Sequence, residues 1–283
     1  MILIADSGST KTAWRLIDDT KNIHQFQTEG FNPYFQNAEN IVKIIQQELI
    51  PQIKTKNVNQ KLEIYYYGAG CSNPEKCEVV ETAIRENFET SKIEVHHDLL
   101  AAARAVCGHE QGIAAILGTG SNSCYYDGGK IVKNIPALGY ILGDEGSGAH
   151  MGKTFIKAYL NEELPRELSE RFYQRTKLTK DDILEAVYKK PFPNRWLASF
   201  SKFIFQNIKD PYLVDLTAGC FEQFFDKHIC KYENYGELKL NVVGSVGFYF
   251  SNILRSVARD KGVEIDRILE SPIAGLTLYH LGE

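Results

Sequence analysis

Ile2-Leu3-Ile4-Ala5-Asp6-Ser7-Gly8-Ser9-Thr10-Lys11-Thr12 is an apolar run that breaks into a turn of small, hydroxyl-bearing residues. A second stretch has the same form: Ile113-Ala114-Ala115-Ile116-Leu117 runs into Gly118-Thr119-Gly120-Ser121-Asn122. Each reads as a buried strand ending in a loop where glycine lets backbone N–H groups approach an anion and Ser/Thr add neutral donors. One such loop says little. Two, about 110 residues apart, predict two related half-molecules facing one phosphate chain.

Working outward, residues 2–6, 12–18 and 23–28 read as three strands joined by tight polar turns. Ile41, Ile44, Ile45 and Leu49 recur at helical spacing and predict a helix over 37–50. Leu62–Tyr67 is a fourth strand ending at Gly68-Ala69-Gly70, Pro74 opens a helix over 74–88, and Ile93–His96 is a fifth strand. Asp98 starts a helix that runs to Cys107. The order then restarts with strands at 112–117, 122–127 and 130–135, hinged by the hairpin residues Asp127-Gly128-Gly129. A helical region follows over about 147–230, in which Thr179 and Asp182 form a capping box. Leu238–Val243 is a late strand stopping at Gly244-Ser245; a helix to about 260, a strand near 263–269 and a helix over 272–281 complete the pattern. The expected organisation is a domain of 1–109, with the final helix 272–283 a candidate to pack back on it, and a domain of 110–271 carrying the helical insertion. Gly108 and Gly112 mark a candidate hinge.

The bulk numbers narrow the function. At 283 residues, 43% hydrophobic and 24% charged, the chain suits two globular domains. A net charge of −4 carries no basic surplus for nucleic acid, so phosphate binding should be local and mostly by backbone. The six cysteines (71, 77, 107, 124, 220, 230) include no CxxC pair and read as reduced thiols of a cytoplasmic protein. The N-terminus enters a strand pattern at once, so no signal peptide is expected, and no apolar stretch is long enough for a membrane span.

Three side chains stand out beside the loops. Asp6, ending the first strand, can hold Mg²⁺ through water, because that ion keeps several of its waters. The other reading is a turn cap. Asp98 lies where a strand passes into a helix, a position for an N-cap or for a proton acceptor, and one side chain can serve both roles. Asp144, in Gly143-Asp144-Glu145-Gly146-Ser147, is a carboxylate set among glycines, suited to paired hydrogen bonds with sugar hydroxyls.

The order and the loops resemble the actin–hexokinase–sugar kinase superfamily, whose α/β, ribonuclease H-like domains close around ATP in a cleft. The combination of Asp98, Gly118-Thr119-Gly120-Ser121-Asn122 and Gly143-Asp144-Glu145-Gly146-Ser147 resembles more narrowly the N-acetylglucosamine kinases, which belong with the BadF/BadG/BcrA/BcrD-type ATPases. Phe31-Asn32-Pro33-Tyr34, Val242-Val243-Gly244-Ser245-Val246-Gly247 and Ser271-Pro272-Ile273-Ala274-Gly275-Leu276 fit that pattern in order. The resemblance implies ATP and Mg²⁺ as cofactors and an amino sugar as the small-molecule partner, phosphorylated at its C6 hydroxyl. It implies Asp98 as general base; Asn32, Asn122 and Asp144 on the sugar; and Asp6 organising Mg²⁺. Ser9, Thr10, Lys11, Gly118, Thr119 and Gly120 would lie on the phosphates, with Gly244 and Ser245 by the nucleoside. A homodimer is the family habit. Where the mammalian-type pattern carries a Trp before the GDEGS segment, this chain has Pro136-Ala137-Leu138-Gly139-Tyr140.

Competing patterns are weaker. Ser147–Thr154 nearly spells a P-loop, but Ser147 replaces its first glycine and two acids precede it. His96 and His97 are strand neighbours that point to opposite faces, so one ion cannot easily use both. Phe200, Phe203, Phe205, Phe221, Phe224 and Phe225 read as helix packing. An activator ATPase carrying an iron–sulfur cluster is the alternative from another class, but the cysteines show no ligand arrangement for it. A sugar sensor without turnover is a third, and glucosamine or N-acetylmuramate are alternative substrates.

Overall fold

Alternating buried runs make the strands. Leu3, Ile4 and Ala5 of the first strand and Ile113, Ala114 and Ala115 of the sixth are fully buried, as strands covered on both faces must be. The computed structural model describes residues 1–8, 11–54 and 61–282. Ser9 and Thr10, named above for phosphate contact, lie outside the described residues.

The chain divides into two compact units, Met1–His109 with Pro272–Glu283, and Glu110–Ser271. The first contains β1 (Ile2–Ser7), β2 (Lys11–Ile17), β3 (Ile23–Glu29), α1 (Ala38–Ile44), α2 (Ile50–Lys54), β4 (Leu62–Gly68), α3 (Pro74–Asn87), β5 (Thr90–His97) and α4 (Asp98–Cys107). The second contains β6 (Gln111–Leu117), β7 (Ser121–Asp127), β8 (Ile131–Ile135), α5 (Gly139–Leu142) and α6 (Gly148–Leu160). It continues through α7 (Arg166–Thr176), α8 (Lys180–Tyr188), α9 (Pro193–Ser199), α10 (Ser201–Gln206), α11 (Pro211–Lys227), β9 (Leu240–Val243), α12 (Ser245–Tyr249), α13 (Ser251–Asp260) and β10 (Ile265–Leu269). The closing helix α14 (Ile273–Leu281) belongs to the first unit.

The sheets share one plan. Their orders are β3-β2-β1-β4-β5 and β10-β9-β6-β7-β8. In each, the first three strands form an antiparallel meander and the last two add in parallel beside the first. Parallel addition needs a crossover, which helices supply. The predicted restart of the element order is therefore a duplicated topology.

Helix boundaries follow local chemistry. Asn73 caps α3 through Lys76 N–H, with Pro74 as first helical residue. Thr179 and Asp182 form the full reciprocal capping box of α8. The helix expected over 37–50 continues to Lys54, because a π-helical turn at Ile45–Leu49 keeps Ile45 and Leu49 inward. In the first unit Trp14, Phe31 and Tyr66 pack as an aromatic cluster, with Phe31 stacked on Tyr66 at 5.8 Å. Glycine sets a close crossing at α14, where a Cβ on Gly275 would run into the Ala105 backbone of α4, 2.8 Å from its carbonyl carbon. The core of the second unit runs from β6 and β9 to Phe155, Phe172, Phe221, Phe224 and Phe225 of the helices.

Candidate active site

In an open α/β sheet the carboxyl ends of the parallel strands are where ligands are held. In the first unit these ends carry Asp6 (β1), Gly68-Ala69-Gly70 (after β4) and Asp98 (after β5). Asp6 is half-buried; burial first, then the charge of Asp98, push its carboxyl up to about 7, with Lys11 working the other way. Asp98 is reached by water, yet enough protein surrounds it that desolvation raises its pKa, against His97 and the N–H groups of the helix start. A carboxylate raised by burial and by a neighbouring like charge, as Asp6 is, gains from a cation beside it.

Asp98 is not the helix cap. That role falls to His97, whose Nδ1 accepts from Leu100 N–H at 3.3 Å, and Asp98 is the first helical residue. A neutral imidazole has one acceptor nitrogen, and burial holds His97 neutral by lowering its pKa. The carboxylate of Asp98 is thereby released from capping. His96 turns to Glu94 instead, at 3.0 Å. Among the described residues no group of three or more His, Cys, Asp or Glu is placed to hold a metal.

The residues on either side of the first loop are tied into the sheet. Ser7 and Thr12 are buried and share a hydrogen bond at 2.7 Å; Thr12 donates on to the Glu29 carbonyl, and Ser7 Oγ accepts from Phe31 N–H. These two hydroxyls are used up in the sheet, which leaves exposed Lys11 as the described phosphate candidate there. Asn32 follows β3. Its Oδ1 accepts from Tyr34 N–H at 3.0 Å, and Gly70 (φ +86) packs so closely that a Cβ there would lie 2.5 Å from that oxygen.

In the second unit three motifs meet. Gly118 and Thr119 offer their carbonyls to the first N–H groups of α6, from Gly148 at 2.8 Å and Ala149 at 3.0 Å. Thr119 stands exposed at the loop tip. Gly120 lies against Asp144: a Cβ there would be 3.0 Å from Oδ2, and Asp144 Oδ1 accepts from Ser121 N–H at 3.4 Å. Asp144 is buried, which raises its pKa, and it takes a left-handed backbone (φ +57). Gly244 (φ +125) backs onto Leu117 and Gly118, where a Cβ would collide with the Leu117 carbonyl. Asn122, half-buried on β7, uses its Oδ1 to accept from Ser123 N–H and Asn134 Nδ2, both at 2.9 Å. The near-P-loop is no loop: Ser147 caps α6, and residues 148–154 are its first two turns.

A feature that the motif reading missed opens beside Ser245. A concavity of about 420 Å³ is lined by Lys202, Phe205, Gln206, Ser245, Tyr249 and Phe250. Phe205 is therefore not core packing, unlike Phe200, Phe203, Phe221, Phe224 and Phe225, which are buried. It is 38% exposed and meets Tyr249 edge-on at 5.3 Å. The helical period held the signal: 202, 205 and 206 share one face, while 200, 203 and 204 share the other.

A duplicated five-stranded sheet with glycine loops at the carboxyl ends of its parallel strands is the fold of the actin-like sugar kinases. The chain belongs to the BadF/BadG/BcrA/BcrD ATPase family, whose model matches residues 5–210. It is 44% identical to a Porphyromonas gingivalis protein provisionally named an N-acetylglucosamine kinase, over 100% of this chain and 99% of that one, with a TM-score of 0.94. A Chromobacterium violaceum protein with the same provisional name shares the fold at 16% identity and TM-score 0.76, covering 98% of each chain. A provisionally named sugar kinase of Cytophaga hutchinsonii shares it at 14% identity and TM-score 0.54, covering 99% of each. No curated protein matches the chain. No described helix is long and apolar enough to cross a membrane.

Proposed function

We propose that this protein is an ATP-dependent amino-sugar kinase that phosphorylates N-acetylglucosamine on its C6 hydroxyl. The observation that carries the reading is the pair Asp6 and Asp98, two carboxyls with raised pKa values at the carboxyl ends of β1 and β5, the parallel strands on either side of β4. Full-length likeness to the Porphyromonas gingivalis protein supports the choice of sugar.

Phosphoryl transfer asks for in-line positioning and charge neutralisation more than for covalent chemistry. Asp98 takes the proton of the attacking hydroxyl. A carboxylate with a raised pKa is a better base at neutral pH, and such a group is worth about 10²–10⁴-fold in rate. Asp6 fits a magnesium ion, because a desolvated carboxylate beside a like charge gains from a cation, and a single protein ligand suits an ion that keeps its waters. When bound, that ion would neutralise phosphate charge. Lys11, Ser9 and Thr10 serve the phosphates, and so do Gly118, Thr119 and Gly120. The carbonyls of Gly118 and Thr119 are tied to α6, and Gly118 N–H is given to the Gly120 carbonyl at 3.0 Å, which together fix the loop. The nucleoside lies by Gly244 and Ser245, with its base in the concavity of Phe205 and Tyr249. Asn32, Asp144 and the amide NH₂ of Asn122 hold the sugar.

The test is ADP release on a panel of N-acetylglucosamine, glucosamine and N-acetylmuramate, with the product's phosphate position read by NMR. Highest kcat/KM on N-acetylglucosamine and a 6-phosphate are expected. ATP hydrolysis with no phosphorylated hexose would overturn the reading.

A further inference from the structure

The backbone of Asp144 is held in a conformation its own sequence does not enforce. A left-handed φ is unfavourable for a non-glycine residue, and Gly143 and Gly146 nearby add freedom rather than restraint. A turn bond from Ser147 N–H to the Asp144 carbonyl at 3.1 Å holds the loop locally, and further restraint comes from two histidines on different helices. His150, in the first turn of α6, accepts from Gly146 N–H through Nδ1 at 3.2 Å. His228, at the C-terminal cap of α11, meets Glu145 Oε2 through Nε2 at 3.1 Å. The His228 side chain is 4% exposed and its ring stacks on Phe224 at 5.5 Å. Gly146 packs on the same Phe224, where a Cβ would fall 2.7 Å from the phenylalanine Cβ.

Hydrogen-bond direction fixes the roles. Burial works to raise the Glu145 carboxyl, but a backbone N–H and His228 outweigh it and hold it below its ordinary range, so Glu145 accepts and His228 Nε2 donates. That leaves His228 Nδ1 buried with no partner among the described residues. An unpaired buried ring nitrogen costs stability. A phenylalanine would fill the same space without that cost, so the packing alone gives no reason for an imidazole here. The bond to Glu145 does.

We propose that His228 is a positioning residue: through Glu145 it holds the Gly143–Ser147 loop so that the Asp144 carboxylate is presented to the sugar. This rests on the reading of Asp144 as a sugar ligand given above. Neither His228 nor Glu145 needs to touch the substrate.

A double-mutant cycle tests it, with His228→Phe, Glu145→Leu (which removes the acceptor that glutamine would keep) and the pair measured for sugar KM, ATP KM and kcat. His228→Phe keeps the ring on Phe224 and deletes the donor. Expected is a rise in sugar KM of about 10- to 100-fold, as for lost supporting contacts elsewhere, with ATP KM within about twofold. The double variant should be no worse than the poorer single one, because both changes cut one bond. A merely structural role lowers apparent kcat through loss of folded protein and leaves sugar KM unchanged; that result, or additive effects, would overturn the proposal. Should phenylalanine impair folding, His228→Asn replaces it, since its amide overlays Nδ1 and falls short of Glu145. Wild-type protein that phosphorylates no amino sugar would instead overturn the reading of the site itself.

Discussion

Asp6→Asn should make this protein more stable, by an amount that depends on pH. In an unfolded chain the Asp6 carboxyl ionises near pH 4, and in the folded protein at about 7, through burial first and then the charge of Asp98. Between those values the native state keeps a proton that the unfolded state has lost. Native protein then binds more protons, so stability falls as pH rises through that window. The full difference of about three pKa units corresponds to about 4 kcal/mol as an upper bound. Water reaches part of the side chain, and dielectric relaxation softens such a penalty, so about 2 kcal/mol is the expected effect. Asparagine has nothing to ionise and escapes it, and it also relieves Asp98 of a like charge. Scanning calorimetry in EDTA should show the variant melting several degrees above wild type near pH 8, with the gap closing toward pH 4. Magnesium with ADP should stabilise wild type more than the variant. A variant less stable at pH 8, or a gap that does not change with pH, would refute the reasoning about this carboxyl.

Asp98→Asn should cut kcat by at least about 100-fold while the melting temperature stays within a few degrees. His97, not Asp98, caps α4, so near-normal turnover would remove Asp98 from the chemistry. Phe205→Ala should raise ATP KM several-fold and leave sugar KM unchanged, as read in initial-rate kinetics; equal ATP KM would empty the concavity of its role. Gly275→Ala should destabilise by about 1–3 kcal/mol or more, because its methyl meets the Ala105 backbone and neither helix can yield cheaply; denaturant unfolding measures it.

Strands and loops were legible because their signals are local. Fully apolar runs such as Ile113–Leu117 announce strands buried on both faces, and Thr179 with Asp182 announces a helix start. What could not be read depends on which of two chemically able neighbours wins. Asp98 is the better cap by type, yet His97 has the extended backbone (φ −79, ψ 160) that a cap requires. Ser7 and Thr12 look like anion donors until β3 arrives beside them and takes their hydrogen bonds. Asp144 and Gly120 are remote in sequence, and only the packing of the β6–β7 loop on α6 puts one against the other.

The placement of α14 sets the order in which this protein can be finished. Its first unit is interrupted by the second, so α4 waits for the helix that covers it while the roughly 160 residues from Glu110 to Ser271 are translated. At about 5–20 residues per second that interval is on the order of ten to thirty seconds. During it the alanine-rich face around Ala105 stands uncovered on the ribosome. The half of the molecule that emerges first is completed last, and the inserted unit is free to fold as an uninterrupted block in the meantime.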